Sequence, residues 1–363
     1  MYDSAQCQAI KDLLIPPIRS NNLSLLDENI STLQETHPLA FSMLADTLQE
    51  ISQTVSQSMP LVKPFKLHRL IRTIQINLDS LLLWEQTNHR TVAALETGQI
   101  HPRLLKPHVR FPAKQYDEVY AKQSDRVAKQ VKNVKVKPTK RTSYDINRTL
   151  PPQINHAFRV SYAVYLVEVL FGLLAEKKGD QPVRWLDIGC GTGKIVNTVN
   201  PKRYGCQNWE IAGCDMQAGK IALAHQRRLP DRQFFQKEAF TLLSEMSAED
   251  NSYDIISMFE FLEHLNDPLD FLEQLAKFQS EFILIASPLA QDINNAFVNR
   301  PDPVHLWSFS REGLETMLDM VGLEVVYSAE TRVGSYISGL DWLTVLCGNK
   351  ALLKERRTNW RNF

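Results

Sequence analysis

The chain carries no net charge. Its 363 residues hold 41 lysines and arginines against 41 aspartates and glutamates, so no global field selects a charged partner. It also lacks a long apolar run. The longest, Val160 to Ala175, contains Ser161, Tyr162, Tyr165 and Glu168, and falls short of the roughly 20 apolar residues of a bilayer-spanning helix. The opening residues, Met1-Tyr-Asp-Ser-Ala-Gln-Cys7, lack the basic-then-apolar layout of a secretory signal. No C-x-x-C pair occurs, and the five cysteines (Cys7, Cys190, Cys206, Cys214, Cys347) are an odd number, which points to buried thiols in a reducing compartment. These absences lead us to expect a cytoplasmic protein without a membrane span. Hydrophobic content of 44% and charged content of 23% suit a globular chain with a sizeable core, and the length suggests about two domains.

What is present is concentrated in Val183-Arg-Trp-Leu-Asp-Ile-Gly-Cys-Gly-Thr-Gly-Lys-Ile-Val196. The order is a short buried strand, a glycine-rich turn and the opening of a helix. Gly189, Gly191 and Gly193 stand at alternate positions, where a missing Cβ permits unusual backbone angles and close approach of a ligand. Asp187 puts a carboxylate at the carboxyl end of the strand, where open α/β sheets bind ligands. Two phosphate-binding patterns fail here. The dinucleotide fingerprint G-x-G-x-x-G is broken by Lys194, and the P-loop is broken because Ile195 replaces the hydroxyl that would touch magnesium. A nucleotide-type ligand lacking phosphates fits better.

The segment Leu186-Asp-Ile-Gly-Cys-Gly-Thr-Gly193 resembles motif I of class I S-adenosylmethionine-dependent methyltransferases. Further strands follow the same pattern. Trp209-Glu-Ile-Ala-Gly-Cys-Asp215 forms a second strand ending in an acid, Gln233 to Ala239 a third, Ser252 to Glu260 a fourth and Glu281 to Pro288 a fifth. Ser310 caps a helical stretch that ends before Gly322, and Leu323–Tyr327 with Trp342–Leu346 can close an antiparallel hairpin. The resemblance implies a Rossmann-like α/β fold, a seven-stranded sheet that is mostly parallel with one antiparallel strand, over residues 151–350. It also implies S-adenosyl-L-methionine as cofactor, held by Asp187, Gly189, Cys190, Gly191, Gly193, Asp215, Met216, Glu238, Ala239 and Phe259. Asp215 would accept the ribose hydroxyls, because an ionised carboxylate offers only lone pairs. Glu238 stands where the family usually has aspartate beside the adenine amino group, and Phe259 ends the strand that lies along the cofactor.

Before Pro151 the chain changes character. Residues 1–105 show helical periodicity, as in Phe65, Leu67, Leu70, Ile71, Ile74, Ile76, Leu78, Leu81, Leu82 and Trp84. Pro16-Pro17, Pro60 and Pro64 punctuate the helices. This helical accessory region would cover the catalytic domain, mediate a homodimer, or both. Residues 106–150 form a basic linker, with twelve lysines and arginines against four acids between Lys106 and Arg148. Its alternating valines and lysines suit a solvated edge segment or contact with an anionic ligand. Sparse aromatic interleaving makes nucleic acid the less favoured partner. Residues 351–363 form a basic tail.

For chemistry, Phe259-Glu-Phe-Leu-Glu-His-Leu265 supplies Glu260, Glu263 and His264, and Pro303-Val-His-Leu-Trp-Ser-Phe-Ser310 supplies His305. Two acids and two histidines could hold a divalent cation that orients a vicinal diol. That pattern resembles the metal site of small-RNA 3′-terminal 2′-O-methyltransferases. It is also similar to the ubiquinone-type and glycan-modifying methyltransferases of the methyltransferase domain 23 kind, which mostly use no metal, and Ser287-Pro-Leu-Ala replaces the T-P-N segment of the RNA enzymes. The metal-free assignment is preferred, with His264 as first candidate for general base and His305 as second, since imidazole titrates near neutrality. The expected activity is O-methylation of a small-molecule or glycan-type acceptor. An RNA 2′-O-methyltransferase with a metal-assisted site and a non-catalytic cofactor-binding scaffold are the rivals.

Overall fold

A computed structural model describes residues 3–56, 63–87, 89–100, 104–107, 151–248, 253–278, 280–289, 305–333, 340–350 and 353. The basic linker beyond Pro107 and the tail beyond Lys350, apart from Leu353, lie outside the described residues. The chain divides into two compact units. One gathers Met1–Val119, Glu263–Asp270 and Ala290–Met317, the other Tyr120–Leu262, Phe271–Leu289 and Leu318–Phe363. In chain order the strands are β1 (Leu105–Pro107), β2 (Val183–Ile188), β3 (Trp209–Asp215), β4 (Arg232–Gln236), β5 (Ile255–Phe259), β6 (Phe282–Pro288), β7 (Trp307–Phe309), β8 (Leu323–Val333) and β9 (Leu340–Asn349).

The second unit is built on a seven-stranded sheet in the order β4-β3-β2-β5-β6-β9-β8. Neighbours from β4 through β6 pair in parallel, and β9 runs antiparallel to both β6 and β8. The Rossmann-like topology is therefore the expected one. Trp185, Leu186 and Ile188 are all buried, so β2 reads as a continuous apolar run, as strands covered on both faces do. The helix Pro151–Lys178 covers β2, where Phe171 meets Trp185 edge-on at 6.1 Å. Glu168 interrupts its apolar face for a reason. The buried carboxylate accepts Asn200 N at 2.8 Å and Arg203 Nη1 at 2.7 Å, stapling the helix to the 3-10 turn Pro201–Tyr204.

The third strand expected over Gln233–Ala239 stops at Gln236, and Ala239 opens the helix Ala239–Ala248. The cause is a cap. Glu238 accepts Thr241 N at 2.9 Å and Thr241 Oγ1 at 3.2 Å, which ends extended backbone and starts the helix. The closing hairpin is longer than the sequence suggested, pairing Leu323–Val333 with Leu340–Asn349 across a bulge between Val325 and Tyr327.

Among the described residues the first unit begins with five helices, α1 (Ser4–Arg19), α2 (Leu23–Thr36), α3 (Pro38–Ser56), α4 (Lys63–Thr87) and α5 (His89–Glu96). A capping box starts α1, with Asp3 and Gln6 exchanging side-chain and backbone bonds of 2.8 and 3.0 Å. Cys7, Ile10, Leu14 and Ile18 form its buried stripe, at the spacing of one helix face. Pro16 and Pro17 fall inside the end of α1 rather than beyond it. Leu67, Leu70, Ile71, Ile74 and Leu78 are the buried face of α4. Among the described residues no helix is long and apolar enough to cross a membrane.

A two-stranded antiparallel ribbon completes this unit, with Leu105 opposite Phe309 and Pro107 opposite Trp307. Ser310 donates through both its amide and its hydroxyl to Leu104 O, at 3.0 and 2.9 Å, and accepts Gly313 N at 2.9 Å. It thus caps the helix Arg311–Met320 while anchoring the ribbon. Gly313 makes room for this, since a Cβ there would stand 2.0 Å from Leu104 O. Gly→Ala inside a helix ordinarily stabilises by about 1 kcal/mol. Gly313→Ala should instead destabilise by about 1–3 kcal/mol, the usual range for overpacking. Urea unfolding measures it, and a gain in stability would contradict the close approach.

Candidate functional site

At β2 the sheet order reverses, with β3 on one side and β5 on the other, the position at which open α/β sheets take ligands. The turn that leaves β2 is left-handed at Gly189 (φ 74°), Gly191 (φ 58°) and Gly193 (φ 69°). Two of these glycines are fixed by protein. A Cβ at Gly189 would lie 2.5 Å from the Phe261 ring, and one at Gly193 2.7 Å from the Phe234 ring. A Cβ at Gly191 would meet nothing within 4 Å. The middle glycine faces open space, which is where a ligand would approach the main chain.

Backbone bonds hold the turn against β3. Cys190 N donates to Cys214 O at 2.8 Å, and Gly193 N to Cys190 O at 3.0 Å. Asp215, 7% exposed at the end of β3, accepts Gly191 N at 3.1 Å on one oxygen and Gln217 N at 2.8 Å on the other. Lys220 Nζ stands 3.8 Å from the same carboxylate. Each carboxylate oxygen has two lone pairs, so Asp215 keeps acceptor capacity after bracing the turn. Met216 follows, an exposed apolar side chain. Glu238 is exposed and spends one oxygen on its helix cap, Ala239 is buried behind it, and Phe259 is half-buried at the end of β5.

Asp187 is buried beneath the turn. It accepts the Ser257 hydroxyl at 2.6 Å, and Ser257 accepts Trp185 Nε1 at 2.9 Å. Burial lifts the Asp187 carboxyl to about 7, with the nearby Asp215 charge adding and the Ser257 bond opposing. Burial also pushes the Cys190 thiol up, and the Cys214 thiol to about 12. All five cysteines are buried thiols outside any disulfide, so those beside the turn behave as small apolar fillers.

The acid–histidine constellation lies partly in the first unit, where Glu263, His264 and His305 offer donor atoms within 4.8 Å of one another. Glu263 is buried, and the two imidazole rings meet edge-on at 4.8 Å between centroids. Two imidazoles and a carboxylate suit a divalent ion in donor type. Leu306 N donates to Glu263 O at 2.8 Å, and Trp307 Nε1 to Leu265 O at 2.8 Å, so the two histidine-bearing segments are tied side by side. Glu260 is not part of this group. It adopts a left-handed backbone (φ 53°) and pairs with Arg159, whose guanidinium lies over Trp342 at 4.3 Å from the ring centre.

Several contributors escaped the sequence reading. Ser257 had a usable signal, being a polar residue inside the apolar Ile255–Phe259 strand. Arg159 had one too, as a lone cation beside an apolar helix face. Lys220, Phe234 and Phe261 act through tertiary proximity and had none. A cavity of about 320 Å³ beside the Ala239–Ala248 helix, lined by Arg184, Glu210, Phe235, Lys237, Met246 and Tyr253 among others, contains none of the turn residues.

Residues 162–328 match a family model described as a methyltransferase domain. The chain is 29% identical over 125 residues to the ubiquinone biosynthesis O-methyltransferase of Vibrio cholerae serotype O1, covering 34% of this chain and 44% of that protein. It is 29% identical over 115 residues to the same-named protein of Aliivibrio fischeri, covering 31% and 43%. The chain thus spans less than half the length of these curated relatives. Among solved structures, the magnesium protoporphyrin IX methyltransferase of Synechocystis with bound S-adenosylhomocysteine aligns with a TM-score of 0.42 at 10% identity, covering 64% of this chain and 97% of that one.

The Asp187 environment sets a pH dependence. A carboxyl that holds its proton more tightly folded than unfolded stabilises the fold below its unfolded value and loses that contribution as pH rises through the folded one. For Asp187 the window runs from the ordinary 3.8 to about 7. In ligand-free protein, the stability of the wild type relative to Asp187→Asn should therefore fall across this window. Urea titrations at stepped pH measure it, and a difference that stays level or grows with pH would contradict the assignment.

Proposed function

We propose that this chain, which carries a class I S-adenosylmethionine-dependent methyltransferase domain, transfers a methyl group to an oxygen of a small-molecule or glycan-type acceptor. The observation that carries the proposal is the left-handed turn after β2, open above Gly191 and braced by Asp215. The broken phosphate patterns favour a nucleoside ligand there, and the oxygen target draws support from the partial likeness to ubiquinone biosynthesis O-methyltransferases. In this assignment the main chain of Gly189, Cys190, Gly191 and Gly193 lies along the cofactor and Asp187 underpins it. Asp215 accepts the ribose hydroxyls, Met216 and Ala239 border the adenine, Glu238 meets its amino group, and Phe259 closes the side at β5.

S-adenosylmethionine brings its own activated methyl as a sulfonium, so the protein's task is to align an acceptor oxygen and exclude water. His264 takes the acceptor's hydroxyl proton and His305 stands beside it to share or relay that proton. One observation favours a second possibility, the grouping of Glu263, His264 and His305 as donors. There the three residues would hold a divalent ion that orients neighbouring hydroxyls, as on a terminal ribose of RNA. A scaffold without turnover is the third alternative, and measurable methyl transfer to any acceptor excludes it.

His264→Ala should leave S-adenosylmethionine affinity nearly unchanged and lower turnover by about 10²–10⁴-fold, the usual range for a general base. Chelation should then have little effect on the wild type. If chelation abolishes activity, and Glu263 and His305 variants lose metal in step with rate, the metal-assisted alternative holds instead. Wild-type turnover by His264→Ala refutes both.

A further inference from the structure

We propose that Thr91 and Asp267 are positioning residues through which the N-terminal helices hold His264 against His305. This rests on the assignment of that pair as the proton-handling site. Asp267 lies three residues beyond His264 and is 8% exposed. Its carboxylate accepts Arg90 N at 2.7 Å and Thr91 N at 3.2 Å, which caps the start of α5. The same carboxylate accepts Asp270 N at 3.0 Å, capping the helix Pro268–Leu275. One buried negative charge thus serves two helix N-termini, each carrying partial positive charge from unpaired amides. Thr91, fully buried, completes the joint. Its hydroxyl donates to Asp267 Oδ1 and accepts Leu269 N at 3.1 Å.

The His305 side is held by the same stretch of chain. His305 stands two residues before β7, and β7 pairs with β1, which follows α5. Between the two histidine segments run the Leu306 N to Glu263 O and Trp307 Nε1 to Leu265 O bonds. Both histidine segments are therefore tied to α5 or β1, through Asp267 on one side and the β1–β7 ribbon on the other. Histidines at the end of a short 3-10 turn and just before a short strand need such support, because a misplacement of about 1 Å costs roughly 10²-fold in rate. The helical region, whose role the sequence left open between cover and dimer contact, is here part of the site's construction.

The test uses full-length protein. Thr91→Val keeps shape and deletes the hydroxyl, and Thr91→Ser restores it. Thr91→Val should lower kcat by about 10–100-fold with S-adenosylmethionine affinity unchanged. It should also alter the imidazole nitrogen resonances of His264 and His305 in cofactor-free protein, and Thr91→Ser should recover both. Unchanged resonances in a folded Thr91→Val protein overturn the proposal, as does failure of Thr91→Ser to recover them. Altered resonances with wild-type turnover support the clamp and refute the proton-handling role, which separates the two failures. If Thr91→Val does not fold, Asp267→Asn, which keeps an acceptor oxygen and loses the charge, is read by the same resonances with the same consequences.

Discussion

The turn after β2 must pass through left-handed backbone three times in five residues, and the rest of the candidate cofactor site follows from that constraint. Left-handed backbone costs roughly 1–2 kcal/mol at each non-glycine residue, so glycine at 189, 191 and 193 keeps the turn nearly unstrained. Absent side chains then define the surroundings. Phe261 and Phe234 fill the space over the outer two glycines, and the middle one is left open. The turn would be loose without a brace, and Asp215 supplies one by accepting the Gly191 amide from the end of β3. Beneath it, the Trp185–Ser257–Asp187 chain of hydrogen bonds satisfies a carboxyl that burial would otherwise leave costly.

In the other unit a single carboxylate has a comparable organising role. Asp267 joins α5 to the helix that follows the histidine segment, and the β1–β7 ribbon joins the second histidine segment to the same N-terminal stretch. The residues with chemical potential are thereby placed by residues that have none. Glu260 shows that sequence proximity does not decide membership. It belongs to the same E-x-x-E-H run as Glu263 and His264, yet it turns left-handed at the end of β5 and pairs with Arg159.

The fold was legible because its signals are local. Strand-then-helix units repeat, the first with a glycine turn and an acid at its strand's end, and the seven-stranded order follows from how such units wind. Boundaries were less legible where a side chain intervenes. Glu238 ended the expected third strand early by capping a helix, a choice that backbone propensity alone does not reveal. The N-terminal helices were visible as periodicity, but their connection to His264 was not. It depends on Thr91 meeting Asp267, 176 residues apart in sequence. Ser257 and Arg159 could have been flagged as polar residues beside apolar runs, whereas Lys220, Phe234 and Phe261 gain meaning only from folding. Of the basic linker, prominent in the sequence, Lys106 and Pro107 fall in β1 and the rest lies beyond the described residues.

The central claim is that the open space above Gly191 belongs to S-adenosylmethionine. Calorimetric titration of that compound into the wild type and into Gly191→Val tests it most directly, because the added Cβ would stand in the cradle with no protein atom within 4 Å. Saturable binding by the wild type, and no measurable binding by a valine variant that still unfolds cooperatively, is the outcome this account requires. A valine variant that binds with wild-type affinity would contradict it.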